Sequence, residues 1–261
     1  MTNSGMQVCS AEKTGSFTSS RSIQVKTVFE NVQHYLNGRP VDIRMRAETV
    51  KAFAARLCWR RLLDVGCGDG SVTLPLLSSS SHLTLLDLSS SMVAGAVARV
   101  PQDLRANVEV RNENFMTASF ARELFGVIVS VGVLAHVDSP EEFIAKLKSL
   151  SAPDGILILE FTDCRHFLGR LSRFVGWIKE QIAPAKYQTN RLSFPDVAGM
   201  FERQQLHIVS IFRYANVPLP GVERLIAAGV LYRFVRLIFG NADNNRNAWL
   251  GNEYICLVRA V

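Results

Sequence analysis

The sequence predicts an α/β protein whose mostly parallel sheet is covered by helices on both faces. Two observations predict it. Short apolar runs without polar alternation recur between residues 61 and 161 and alternate with helix-compatible segments, the pattern of strands buried on both faces. One of those runs, Leu62-Leu63-Asp64-Val65, feeds straight into a glycine turn, Gly66-Cys67-Gly68-Asp69-Gly70. A chain of 261 residues, 48% of them hydrophobic, is long and apolar enough to bury one such sheet.

The elements follow in order. Residues 1–22, rich in Ser and Thr, are expected to form an unstructured tail. Ile23, Val25, Val28, Phe29, Val32 and Leu36 have rough helical spacing, and a second helix bearing Arg44 and Arg46 is expected to run to Leu57. Strands are expected near 61–65, 83–87, 107–111, 125–131 and 155–161. Helices are expected near 70–78, 90–99, 117–123 and 140–150. Ser139 before Pro140-Glu141-Glu142 reads as an N-cap with proline in the first helical position and acids in the first turn. Beyond Thr162 come a mixed apolar and arginine helix over 165–180, a helix from Phe194 to Gln204, a strand from Leu206 to Tyr214 and a last strand from Glu253 to Arg259. Between those two strands an apolar helix is expected from Val222 to Phe239, then an asparagine-rich loop over 241–247.

The glycine turn carries the chemistry. Asp87 stands 21 residues after Gly66, at the end of the next apolar run, where a carboxylate accepts hydrogen bonds from both hydroxyls of a ribose. The glycines read G-x-G-x-G, not the G-x-G-x-x-G that seats a diphosphate. Asp64 beside the turn would repel a diphosphate and suits a cationic, amino-acid-bearing cofactor.

Leu62 to Gly70 resembles the first motif of the class I S-adenosylmethionine-dependent methyltransferases, L-D-V-G-C-G-x-G, of the small-molecule type. Val108 to Phe115 is similar to the family's third strand and its exit, with Asn114 in place of the usual Asp. Phe125 to Asp138 resembles its fourth strand and loop, with Gly126 and Ala135 replacing an Asp and a His. Leu150 to Glu160 resembles its fifth strand and the turn before it. Phe29-Glu30-Asn31-Val32-Gln33-His34-Tyr35 resembles the lid segment that precedes the core. The resemblance implies a Rossmann-like, doubly wound sheet of seven strands, the last antiparallel, with helical lid and cap insertions. It divides one domain, 23–261, into a lid (23–57), a cofactor-binding core (58–161), cap insertions (162–193 and 215–250) and the remaining core (194–214 and 251–261).

The resemblance also implies the site. S-adenosyl-L-methionine is the expected cofactor. Gly66, Cys67, Gly68 and Gly70 shape its turn, Asp64 lies near the aminoacyl end and Asp87 binds the ribose. Leu88 and Met92 line the adenine, Asn114 and Phe115 contact its edge, backbone at Val131 meets the methionine part, and Tyr35 reaches in from the lid. Arg44 or Arg46 is placed to pair with the methionine carboxylate. His136, after the fourth strand, is the expected general base, because imidazole titrates near neutral pH; a role in holding the loop or a water is the competing reading. Glu160, Asp163, His166 and Tyr187 are further candidates. No metal is expected. The loop after the fourth strand lacks both an N-P-P-Y motif and a cysteine nucleophile, which excludes enzymes that modify exocyclic base nitrogens or pyrimidine C5.

Bulk properties bound the partners. The net charge is +6, and all the excess lies in residues 161–261, with 13 basic against 7 acidic residues. That balance favours an amphipathic or anionic small metabolite bearing an O or N acceptor, or a lipid-linked one met at a membrane surface. Two alternatives stay open: an RNA or protein methyltransferase using the basic C-terminal surface, which the lack of an aromatic-arginine stripe disfavours, and a non-catalytic cofactor-binding regulatory module, which the departures at Gly126, Ala135 and Asn114 keep in view. Five scattered cysteines without a C-x-x-C pair, and no segment of signal-peptide or membrane-spanning character, predict a reduced, cytoplasmic setting, peripheral to a membrane if bound to one.

Overall fold

The computed structural model describes residues 8–9, 20–30, 40–120, 124–168, 170, 189–215 and 226–260. Its strands are β1 (Val8–Cys9), β2 (Arg61–Val65), β3 (His82–Asp87), β4 (Val108–Asn112), β5 (Phe125–Ser130), β6 (Ser151–Thr162), β7 (Leu206–Tyr214), β8 (Gly240–Asn241), β9 (Asn244–Asn245) and β10 (Glu253–Ala260). All but β8 and β9, which pair as a small hairpin, form one sheet in the order β1-β4-β3-β2-β5-β6-β10-β7. Strands from β1 to β6 run parallel, and β10 runs antiparallel to both its neighbours. The seven expected strands are all present, and the last is the antiparallel one.

The unalternated strand sequences have the expected cause. Leu62, Ile156, Ile158, Ile255 and Leu257 enter a core on one face, with α2 (Pro40–Ala54), α3 (Ser90–Arg99) and α6 (Ala228–Phe239). Their chain neighbours Leu63, Leu157, Leu159, Cys256 and Val258 enter a second core on the other face, with α4 (Pro140–Ser149) and α5 (Phe194–Arg203). Successive side chains point to opposite faces, and both faces are dry. The helix starts are set locally. Ser139 Oγ accepts the Glu142 N–H, with Pro140 behind it. Ser193 and Asp196 close a reciprocal capping box on α5.

The structure corrects three expectations. The segment 1–22 is not wholly unstructured: Val8–Cys9 pairs with β4, whose backbone groups would otherwise form an open edge, and α1 (Ser20–Phe29) begins before Ser22. No α-helix forms over 70–78, only a 3-10 turn at Leu74–Leu76. Leu74 N–H bonds Gly70 O in helical fashion, but Pro75 has no N–H for the next bond. Residues 117–120 are not helical either. Asn114 instead draws the chain into a turn, its Oδ1 accepting the Met116 N–H and its carbonyl the Thr117 and Ala118 N–H groups. Of the expected apolar helix 222–239, the described part runs from Ala228.

Candidate active site

The site lies where β2, β3, β4 and β5 end. Gly66, Gly68 and Gly70 all take left-handed backbone conformations, with φ of +75°, +55° and +74°. A Cβ on Gly66 would lie 2.3 Å from Val133 Cγ2, so both the conformation and the close approach demand glycine there. Asp87 reaches back across this turn. Its Oδ2 accepts the Gly68 N–H and its Oδ1 the Ser89 N–H, each at 2.9 Å. Burial raises the Asp87 carboxyl above its usual range, and those two N–H donors oppose the rise.

Two hollows open from the turn and share Gly66, Gly68 and Val131. The larger is a cleft of about 930 Å³, its open mouth included. Asp87, Leu88, Met92, Asn114, Phe115, Val131 and His136, all singled out from the sequence, line it together. Its walls are apolar at Met92 and Phe115, which are buried, and polar at Asp87 and Asn114. Asn114 is oriented by its own turn. Its oxygen accepts the Met116 N–H, and its Nδ2 lies 3.4 Å from Ser22 Oγ.

The smaller hollow, about 370 Å³, is charged. Asp64, Arg46, Cys67 and Ile43 line it. Asp64 is fully enclosed, and Thr73 Oγ1 donates to its Oδ2 at 2.5 Å. Burial, with Asp87 nearby, pushes the Asp64 carboxyl up to about 7, against the Thr73 hydrogen bond. Arg46 crosses from α2, its Nε 2.7 and 2.9 Å from the two oxygens of Glu160 on β6, with both side chains at most 7% exposed. Tyr214 on β7 donates to Glu160 Oε1 at 3.1 Å. The guanidinium's outer nitrogens face Gly132, where a Cβ would sit 3.3 Å from both.

α1 covers the larger cleft. Arg21 Nη1 donates to Val137 O at 2.6 Å and to Asn190 Oδ1 at 2.8 Å. At the other end Ser89 Oγ donates to Phe29 O and Ser91 Oγ to Glu30 O. Phe29 meets the His136 ring edge-on, 5.5 Å between centroids. Behind the Phe115 wall, Lys146 Nζ donates to Met116 O and Ala118 O and lies 5.1 Å from the Phe115 ring centre.

Other sequence-marked residues sit elsewhere. Gly70 lines neither hollow; it shapes the turn, and a Cβ there would strike Leu74 at 2.5 Å. The Cys67 thiol is buried, which raises it well above its usual range. Arg44 points away, over the Tyr232 ring and beside Glu48. His166 lies 2.8 Å from Trp249 O and lines neither hollow. Tyr35 and Tyr187 lie outside the described residues. Sequence reasoning missed the Glu160–Tyr214 support of Arg46 and the Lys146 prop. Neither has a local signal, since the ion pair spans 114 residues and the prop about 30.

Residues 63–159 match the family model described as a methyltransferase domain. A ubiquinone biosynthesis O-methyltransferase from Rickettsia typhi is 29% identical over 126 residues, 46% of this chain and 48% of that protein. The one from Rickettsia canadensis is 25% identical over 134 residues, 49% of this chain and 52% of that protein. The chain therefore spans about half the length of these relatives. Among solved structures, a methyltransferase from Thermotoga maritima described as a possible histamine N-methyltransferase superposes with a TM-score of 0.62 at 16% identity, covering 90% of this chain and 99% of that one. Magnesium protoporphyrin IX methyltransferase from Synechocystis PCC 6803 superposes with a TM-score of 0.61 at 15% identity, covering 93% and 100%.

Proposed function

We propose that this chain is a class I S-adenosylmethionine-dependent methyltransferase, as the match of residues 63–159 to the methyltransferase-domain family supports, and that it transfers a methyl group to an oxygen of a small amphipathic or anionic metabolite. The observation that carries this reading is the pairing of hollows around one glycine turn. An apolar cleft with a carboxylate at its rim adjoins a small hollow holding one carboxylate and one guanidinium. A nucleoside fits the first, and a zwitterionic amino acid fits the second. The oxygen acceptor follows the O-methyltransferase relatives.

When bound, S-adenosylmethionine supplies a methyl group on a positively charged sulfur, an already activated leaving group. The chain's own work is therefore mostly binding and alignment. Asp87 holds the ribose hydroxyls. Leu88, Met92 and Phe115 pack on the base, and Asn114 meets its edge. Arg46, held in place by Glu160, takes the carboxylate of the amino-acid end. Asp64 takes the ammonium, whose positive charge favours the ionised carboxylate. The backbone at Val131 separates the two hollows. His136 faces the larger cleft beside Phe29, where it takes the proton from an acceptor hydroxyl. α1 covers part of the cleft, with Val25 and Phe29 in its lining.

Calorimetric titration of S-adenosylmethionine into the wild type and Asp87→Ala tests the reading. Loss of the carboxylate should weaken binding by roughly 1.5–3 kcal/mol, the scale of charge-assisted hydrogen bonds. Equal affinity in the two proteins would remove the ribose assignment, and absent binding to wild type would remove the cofactor. An acceptor screen biased toward amphipathic anions then tests the substrate class.

A further inference from the structure

α6 is apolar on both sides. Its inner face, Leu231, Tyr232, Val235 and Phe239, is buried in the core. Its outer face is equally greasy: Val230 is 58% exposed, Phe234 51% and Leu237 69%. Val230, Phe234 and Leu237 follow at spacings of four and three, so they form one stripe. A helix apolar all round belongs between two apolar partners, and only one is present among the described residues. Asn247 Nδ2 donates to Ile238 O, tying the following loop to the helix end, and two residues on Trp249 is 66% exposed. The Trp249 carbonyl contacts His166, whose ring lies 4.4 Å from the half-exposed Phe167.

The charged residues on the helix itself have one sign, while the loop after it carries both Arg246 and Asp243, the latter paired with Arg56. α6 carries Arg233 and Arg236 and no acid. Arg236 is engaged inward, beside Glu48 and on Gly240 O. Arg233 sits between the exposed apolar side chains, and Arg246 is exposed on the loop. An outward apolar ridge with an exposed arginine within it, and an exposed aromatic on the loop that follows, matches an interface of headgroups and acyl chains. A neutral protein partner would gain nothing from the unbalanced arginines.

We propose that the outer face of α6, with Trp249, docks on an anionic bilayer surface. This stands apart from the proposed reaction and needs no cofactor. No described helix is long and apolar enough to cross a membrane, so the contact is peripheral.

The full chain is sedimented with phosphatidylcholine vesicles, with and without phosphatidylglycerol. Wild type should pellet with the anionic vesicles, less with neutral ones, and less again at high salt. Leu237→Asp and Phe234→Asp change exposed side chains, so both should stay folded, verified by an unchanged circular dichroism spectrum and melting temperature, and both should lose partitioning. Arg233→Glu should cost more than the roughly fivefold expected for losing one arginine near an anionic surface. Wild type remaining in the supernatant with anionic vesicles would overturn the proposal. So would Leu237→Asp pelleting as well as wild type, or a wild-type dimer that this substitution makes monomeric without any vesicle binding.

Discussion

The two hollows of the site are built in opposite ways. The larger takes its turn, its ribose carboxylate and one adenine wall from residues 64–92, and Asp87 is hydrogen-bonded to the turn only 19 residues before it. The smaller depends on a guanidinium from α2, a carboxylate from β6 and a phenol from β7, and its key ion pair spans 114 residues. The turn and carboxylate of the first are a local motif that closes as soon as β2 and β3 pair, although its other walls come from α1 and from the ends of β4 and β5. The other exists only when the whole sheet is assembled. The first should therefore be sensitive to backbone geometry and the second to charge balance.

The largest expected effect breaks the second hollow. Glu160→Ala strips the carboxylate from a buried guanidinium and the acceptor from Tyr214. Removing one partner of a buried pair typically costs 3–5 kcal/mol, because the other charge stays buried. Urea unfolding should show a loss of about that size, and Glu160→Gln, which keeps an acceptor, should lose less. A loss within error would mean that other groups hold Arg46.

Next comes the first hollow. Gly66→Ala must place a Cβ 2.3 Å from Val133 at a left-handed φ. Overpacking and strain of this kind cost about 1–3 kcal/mol each. The clash reports a close approach rather than a lost charge, so Val133→Ala in the same chain should restore part of the stability.

Asp64 connects the two regions through pH. Its carboxyl, raised to about 7 in the folded protein from an ordinary 3.8, resists ionisation there. Its sign is therefore opposite to that of a salt-bridged acid. The contribution is most favourable below about pH 4 and is lost as pH rises to about 7. A cationic ammonium in the small hollow reverses the preference. Affinity for S-adenosylmethionine should rise with pH toward about 7, by up to about tenfold per unit, and fall again once an α-amino group loses its proton near 8. Binding below the midpoint should release a proton, visible as a dependence of the calorimetric heat on buffer. Asp64→Asn should bind weakly with neither feature.

The same contrast explains what could be read from the sequence. The parallel sheet and the turn were legible because unbroken apolar runs and three alternating glycines are local signals. The Ser139 and Ser193 caps are local too, though only Ser139 was recognised. The expected helix over 70–78 failed at Pro75, whose missing N–H outweighs apolar spacing. Over 117–120, the described part of the expected helix 117–123, Asn114 captured its own backbone instead. Arg44 and Arg46 stand two apart in the sequence, and no local signal chooses between them. The choice rests on Glu160, which only the folded sheet brings near. The apolar character of 222–239 is legible in the sequence, but which face of α6 packs inward is not.

The smallest expected effect sharpens the comparison at the wall of the larger hollow that lies outside residues 64–92, the turn holding Asn114 and Phe115, which Lys146 supports. This lysine belongs to α4, yet its ammonium bonds two carbonyls of the turn holding Asn114 and Phe115. Partial burial lowers its pKa, so the ammonium is held at some cost. Lys146→Met keeps the apolar stem over Phe115 and removes only the donors. The site is partly open, so water can replace some of what is lost, and stability should fall by about 1 kcal/mol. Cofactor affinity should fall only modestly, since the base walls remain, and the loss should fall on the adenosine part: adenosine alone should weaken as much as the whole cofactor. If instead binding of the whole cofactor weakens while adenosine binding does not, the prop acts on the charged hollow, and the separation of the two regions is incomplete.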